Sequence, residues 1–523
     1  MNLEKILKKI FSPSFYFLLT AIFLTELTSY FGFIFRDLDH QAFLIVVILV
    51  LVLSLKNIRY GVYIAILELV IGSKGYLLHI NISDNEAISI RIAIWVIILA
   101  VWFKNFIFSI KEKDLAKKSV FLKPEILKRG YLNLFLLLFA LIAWGGINGF
   151  WHNGFNNTFL DLNSWLYFAL IFPLFECIFN KNLYDNKETN PLWAFWKIFA
   201  VGLSWLAIKT YFILFLFSHT IAATSPMHDF LVHQMYYWIR NTGIGEITTM
   251  PSGFVRVFFQ SHFYLLPGFY ALLMGIGLYW GEIIKNKKLL IFSVAGLSIL
   301  TSLIIISFSR SFWVATVVVF PLYAFIAWKR YGPKRLLISC LLILASVLIG
   351  IGLIAGTIKF PFPKPGADFS LTDALANRAK KISNEAAVSS RYALLPELWK
   401  GIGKDPILGA GFGKNIIYKT SDPRVLENNP DGLYSTYAFE WGWLDVWLKM
   451  GIFGLILYLF IVGRLIKDSW EKETFLTDLF IVLLTIFFIV NIFTPYANHP
   501  LGIGFLLLAA ATVSWQKKPC PCA

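Results

Sequence analysis

The sequence predicts an all-α polytopic membrane protein with about 12–14 transmembrane helices, and three observations carry that expectation. Of the 523 residues, 58% are apolar or aromatic. Only 15% are charged, against about 25% in an ordinary soluble domain. Of the 47 Lys and Arg, 28, counting Lys197 at a helix start, fall on alternate connections between the apolar runs, as orientation by cytoplasmic basic residues requires, and eleven more lie in one long loop between Lys359 and Arg424. A water-soluble globule is excluded. The net charge of +16, which in a soluble chain would point to nucleic acid, is accounted for by the cytoplasmic connections, and no nucleic-acid partner is expected.

The first run, about 14–35, follows Lys5, Lys8 and Lys9. That order is like a signal peptide, but the run is too long and lacks a small-residue cleavage site, so it is expected to stay as the first helix. Further spans are expected at about 42–55, 60–80, 88–109, 131–150, 160–179, 192–218, 258–283, 289–308, 312–328, 336–356, 444–463, 475–494 and 499–515. The basic connections are the N-tail, Lys56 with Arg59, Lys104 to Arg129, Lys181 with Lys187, Lys285 to Lys288, Lys329 to Arg335, Arg464 to Lys472, and Lys517 with Lys518. Both termini are therefore expected in the cytoplasm. The chain divides into N-terminal helices and a first outer loop (1–256), helices around Ser309-Arg310 (257–356), a large outer loop (357–443), the last helices (444–515) and a tail (516–523). Cys177 and Cys340 lie in apolar runs and Cys520 and Cys522 in a Pro-rich tail, so neither a disulfide framework nor a zinc site is readable.

Two connections on the opposite face stand out. The first, about 219–257, carries His219, His228, His233, Arg240 and Arg256. The second, about 357–443, is far longer than a membrane hairpin needs, and long ordered loops usually carry function. Leu371 to Lys404 has apolar residues at helical spacing, which predicts a small, mostly helical cap over the outer face.

Arg310 is the sharpest residue in the apolar half. Two helices meet at Ser309-Arg310-Ser311; an intramembrane Arg points to function, whereas a snorkelling Arg only marks a helix end. Arg391 lies in Ser389-Ser390-Arg391-Tyr392, upstream of Asp405-Pro406-Ile407-Leu408-Gly409-Ala410-Gly411-Phe412-Gly413. Those glycines read either as a tight turn or as a backbone N–H nest for an anion.

Ser309-Arg310, Arg391 with Trp399, and Pro406-Ile407-Leu408-Gly409-Ala410-Gly411 together resemble the O-antigen ligase and polymerase superfamily, polytopic enzymes that use polyprenyl-pyrophosphate-linked glycans. The family pattern pairs a Ser-Arg helix junction with a long outer loop that begins with Arg and a downstream Trp, then Pro-Leu-Gly-x-Gly. That loop normally closes with His-Asn, and a Gly follows at the start of the next helix. Counting back eleven residues from Gly451, with Gly454 as the second glycine, lands on Glu440. Glu440 and Trp441 thus stand where the family has His-Asn, a departure that leaves the base open and favours a polymerase or an atypical transferase over a standard ligase.

The resemblance implies a multi-pass glycosyltransferase of the inner (plasma) membrane whose site faces the periplasm or cell exterior. Its expected partners are a polyprenyl-pyrophosphate-linked glycan donor, a glycan or lipid-glycan acceptor and the lipid bilayer. Transfer from a pyrophosphate needs positive charge on the departing group, which Arg256, Arg310 and Arg391 can supply as two-pronged clamps without a metal or cofactor. It also needs a general base near the attacking hydroxyl, for which Glu440 is the candidate. His262, six residues after Arg256, is a second catalytic candidate beside the reading of an ordinary interface histidine.

Other groups are weighed the same way. Asp37-Leu38-Asp39 is read as a helix-capping turn or as an acidic pair for a divalent cation. His228 and His233 have the wrong spacing for one helical face and hence for a metal pair. Tyr236, Tyr237 and Trp238 look like an interfacial belt. Glu26, Glu68 and Lys209 sit inside expected helices, where a transporter or lipid-linked glycan flippase would use them. A flippase, however, has no need of the 357–443 loop.

Overall fold

The computed structural model of the protein describes residues 3–83, 86–112, 119–122, 131–184, 190–219, 226–250, 252–362, 386–427 and 429–516. It is all-α and polytopic: among the described residues twelve helices are long and apolar enough to cross a membrane, and a shorter apolar helix, Pro500–Trp515, follows them. Most of the expected spans appear within a few residues of their bounds, and Leu192–Ser218 matches exactly those drawn from sequence.

Several expected spans differ. The run at 60–80 is not one crossing, because its helix, Ile58–Ile71, stops at Gly72. Ser73 (φ 49°) and Gly75 (φ 93°) then turn the chain into an antiparallel hairpin of His79–Ser83 with Glu86–Ser89. The second departure is Pro500–Trp515, whose 16 residues fall short of the roughly 20 a crossing needs. The helix expected at 42–55 is instead longer, Arg36–Lys56, so Asp37 and Asp39 lie in its first turn rather than in a loop. Carboxylates are stabilised there by the positive end of the helix dipole.

The described residues fall into two compact units that interleave along the chain, one from residues 1–108 and 180–374, the other from 109–179 and 375–523. In the first, Lys287–Ser307 packs against Pro333–Ile358 and Leu265–Ile283. Between apolar helices in lipid, hydroxyl pairs and small residues fix the contacts. Thr301 and Ser346 lie 3.0 Å apart across one pair, and Tyr323 donates to Ser339 at 2.9 Å across another. Four buried ionisable groups of this unit form two ion pairs. Glu26 meets Lys209 at 2.7 Å, and Arg91 grips Glu68 with two bonds of 2.7 and 3.0 Å. Trp238 is buried against Ser29, so the expected aromatic belt does not extend to it.

In the second unit, the long helix Gly442–Lys472 packs against Phe475–Phe493 and Tyr131–His152. The described residues of the 357–443 loop form a helix, Ala386–Lys404, a short helix, Pro423–Leu426, and a hairpin of Ile416–Lys419 with Leu433–Thr436; residues 371–385 of the expected helical stretch lie outside the described residues. Leu394, Leu398 and Ile402 follow helical spacing and bury against Ile416, Tyr418, Phe439 and Leu448. Each fully buried side chain of this size stabilises the packing by about 1.5–3 kcal/mol. That seam seats the cap on the membrane-crossing helix.

Candidate functional site

The first unit gathers two of the three candidate arginines around one helix junction. Lys287–Ser307 ends at Phe308, a buried non-glycine residue held at φ 46°, a conformation that costs about 1–3 kcal/mol and is kept where surroundings over-determine it. Its ring is fixed between Phe254 and Trp313, at 4.8 and 5.7 Å. The next helix starts at Arg310. Arg256, on a strand paired with Gly245–Thr249, donates from Nε to the Ser307 carbonyl at 2.8 Å. An arginine at the first position of a helix lies at the positive end of the helix dipole. Together with Arg256 it concentrates positive potential at the junction, which suits an anionic group.

His262 lies in the same unit but is wholly enclosed. Its Nε2 is 3.1 Å from the Thr210 hydroxyl, and its ring packs on Phe259 at 4.9 Å. Nothing in this setting leaves room for a sugar hydroxyl against the ring as it stands. Asp39, in the first helical turn, pairs with His79 at 3.3 Å. Among the described residues no three His, Cys, Asp or Glu side chains are grouped to hold a metal ion. The His228 side chain lies outside the described residues.

In the second unit, Arg391 and Glu440 meet. The Arg391 Nε donates directly to the Glu440 carboxylate, although 49 residues separate them in sequence. The Trp441 indole donates to the Arg391 carbonyl at 3.1 Å, so backbone and side chain of Arg391 are both tied to the start of the membrane helix. Glu440 is 51% and Arg391 34% exposed in the side chain, so both are accessible from outside the fold. Tyr418 stands beside the pair, 3.2 Å from the Ser390 hydroxyl. Burial raises the Tyr418 phenol above its ordinary value, with the Glu440 carboxylate acting in the same direction and the Ser390 bond opposing it, so it remains a neutral hydrogen-bonding group at physiological pH.

The glycine segment is not an anion nest. Gly409, Ala410, Phe412 and Gly413 donate their N–H groups to the Asp405, Leu448 and Gly145 carbonyls and to Asp161 respectively, at 2.7–3.0 Å. The segment threads between Tyr131–His152 and Gly442–Lys472. A Cβ on Gly409 would come within 2.4 Å of Gly451 N, and one on Gly411 within 2.5 Å of Gly149 N. Gly451 itself adopts φ 70°, ψ −175° inside the long helix and breaks it there. Irregular backbone among membrane helices is tolerated only when protein satisfies it, as here.

This interlock gives a stability expectation. Gly451→Ala adds a Cβ 2.0 Å from the Ile407 carbonyl oxygen and should lose at least about 1–3 kcal/mol from backbone strain alone. Gly463→Ala, in the same helix with nothing within 4 Å of the added carbon, should be neutral or slightly stabilising. Thermal unfolding of the two purified variants in detergent compares them; equal midpoints would contradict the interlock.

Sequence reasoning missed a buried charged group in the same unit. Lys449, fully buried, reaches Asp161 at 2.6 Å and Asp445 at 2.7 Å. A signal was present: an Asp and a Lys at i,i+4 near the start of an apolar helix are intramembrane charges that need partners.

Residues 295–459 match the family model described as O-antigen ligase. No curated protein matches the chain.

Proposed function

We propose, on the match of residues 295–459 to the O-antigen ligase family model, that this protein is a membrane glycosyltransferase of the O-antigen ligase superfamily that transfers or polymerises a polyprenyl-pyrophosphate-linked glycan on the extracytoplasmic face of the inner (plasma) membrane, in cell-surface polysaccharide synthesis. The observation that carries this reading is the exposed Arg391–Glu440 pair on the cap, where a carboxylate and a two-pronged cation stand side by side.

The chemistry assigned to it is a glycosyl transfer. Glu440 accepts the proton of the acceptor hydroxyl, whose oxygen bonds to the anomeric carbon of the donor sugar. The bond from that carbon to the pyrophosphate oxygen breaks, and polyprenyl pyrophosphate departs with its charge balanced by arginine. Protonation of Glu440 discharges the ion pair, so the Arg391 guanidinium is released for the departing pyrophosphate as its charge develops. Arg256 and Arg310, at the helix junction of the first unit, are assigned to binding an anionic group. His262, enclosed by Thr210 and Phe259, is assigned a structural part.

A flippase for the same lipid would move the donor with its bonds intact. The ionisable residues it would call on, Glu26, Lys209 and Glu68, are closed into pairs with each other or with Arg91, and no observation favours that reading. The test is product analysis with purified protein, donor and defined acceptors in EDTA. Transfer is expected to persist in chelator. Donor recovered intact would reject the enzyme, and loss of transfer on chelation with recovery in magnesium or manganese would shift the charge-balancing role to Asp37 and Asp39.

A further inference from the structure

The second unit holds a charge network that the transfer chemistry does not use. Lys449 lies seven residues inside Gly442–Lys472, about 10 Å along the helix from its start at a rise of 1.5 Å per residue. Its Nζ is bound by Asp161 at 2.6 Å and by Asp445 at 2.7 Å. Each carboxylate has a second partner from another element: Asp161 accepts from Gly413 N–H at 2.8 Å, and Asp445 accepts from the Asn498 side-chain amide. Three pieces of chain are therefore tied to one ammonium group: the segment Phe155–Leu162, the glycine segment ending at Gly413, and the turn before Pro500–Trp515.

With both carboxylates ionised, this group of two carboxylates and one ammonium carries a formal buried charge of −1. For stability alone this is a poor arrangement, since unbalanced charge in a low-dielectric interior is costly and neutral replacements of buried ionic groups are often as stable or better. Such costs are characteristic of functional sites. The position of the network suggests what it serves. The Lys449 ammonium is 5.6 Å from the centre of the Phe439 ring, and Phe439 directly precedes Glu440. The Leu448 carbonyl, one residue before Lys449, accepts from Ala410 N–H at 2.7 Å.

We propose that Lys449, held between Asp161 and Asp445, is a positioning residue that locks the segment 406–413 and the start of the membrane helix in the one arrangement that places Glu440 for transfer. This rests on the transfer reading above. Its substance is a separate claim: the network fixes geometry at the cap rather than merely holding the unit folded.

Asp445→Asn and Asp161→Asn each leave one neutral Lys–carboxylate pair, so both should fold even if Lys449→Met does not. Asp445→Asn is expected to keep or raise the thermal midpoint while lowering kcat by on the order of 10²-fold, the size of effect expected of small misplacements, with KM for the donor within about twofold. Wild-type kcat in Asp445→Asn would overturn the proposal.

A second measurement does not depend on activity. With Cys340, Cys520 and Cys522 replaced by Ser, Ala410→Cys reports on the buried segment through its rate of modification by a membrane-impermeant maleimide. Slow labelling is expected with the network intact, and at least about tenfold faster labelling when Asp161→Asn loosens it, as local opening exposes protected sites. Unchanged labelling would overturn the positioning claim whatever the enzyme does. A labelling difference in a protein that transfers no glycan would instead reject the transfer reading alone.

Discussion

Glu440→Gln is expected to lower single-turnover transfer by about 10²–10⁴-fold while leaving donor binding nearly intact. Gln preserves size and one hydrogen-bonding oxygen toward Arg391 but cannot accept the proton of the acceptor hydroxyl. The substitution also removes the negative charge that occupies Arg391, so donor affinity should hold or tighten rather than fall. That split between kcat and KM separates a lost base from a lost binding group. Glu440→His should retain part of the activity, because an imidazole at this exposed position can take over proton acceptance. Near-normal turnover in Glu440→Gln, with folding verified, would reject the role.

Arg310→Lys is expected to be nearly as damaging as Arg310→Ala, at about tenfold or more in kcat/KM, although it conserves charge. The reason is geometric: a guanidinium presents a planar fork to a phosphate, whereas an ammonium is a compact point charge on a flexible stem. At the junction the preceding residues are fixed by buried Phe308 and by the Arg256 bond to Ser307, so the backbone cannot shift to bring a lysine to the same place. The measurement is donor-dependent transfer across a salt series. Full activity in Arg310→Lys would show that charge alone suffices, or that Arg310 only marks a helix end.

The membrane class and most spans were legible because both depend on local composition: an apolar run of sufficient length must be helical in lipid. Ser309-Arg310 was equally legible, since a charge between two apolar runs is conspicuous. The Ile58–Ile71 helix was drawn too long because hydropathy averages over the turn at Ser73 and the polar hairpin after it. Arg391 and Glu440 were singled out separately, one by its place in the long loop and the other by a family spacing. Their contact was invisible, as no periodicity links residues brought together by a cap folding onto a helix.

The glycines show the same limit. Read alone, Gly409, Gly411 and Gly413 suggested a turn or an anion site. Their φ values of 79°, 81° and 76° do require glycine, but the free N–H groups of a nest are consumed by Gly145, Leu448 and Asp161. The matching Gly145 and Gly149, four apart on one face of Tyr131–His152, were a readable sign of close helix packing. Lys449 and Asp161 bond across 288 residues, a pairing that only the folded chain specifies.

The most direct measurement is the stoichiometry of products formed by purified wild-type protein from a polyprenyl-pyrophosphate glycan, with and without acceptor, beside Glu440→Gln. If the cap carries out glycosyl transfer, one polyprenyl pyrophosphate is released for each new glycosidic bond, release depends on acceptor, and Glu440→Gln loses both together. Release without a new bond, or equal bond formation by Glu440→Gln, would contradict it.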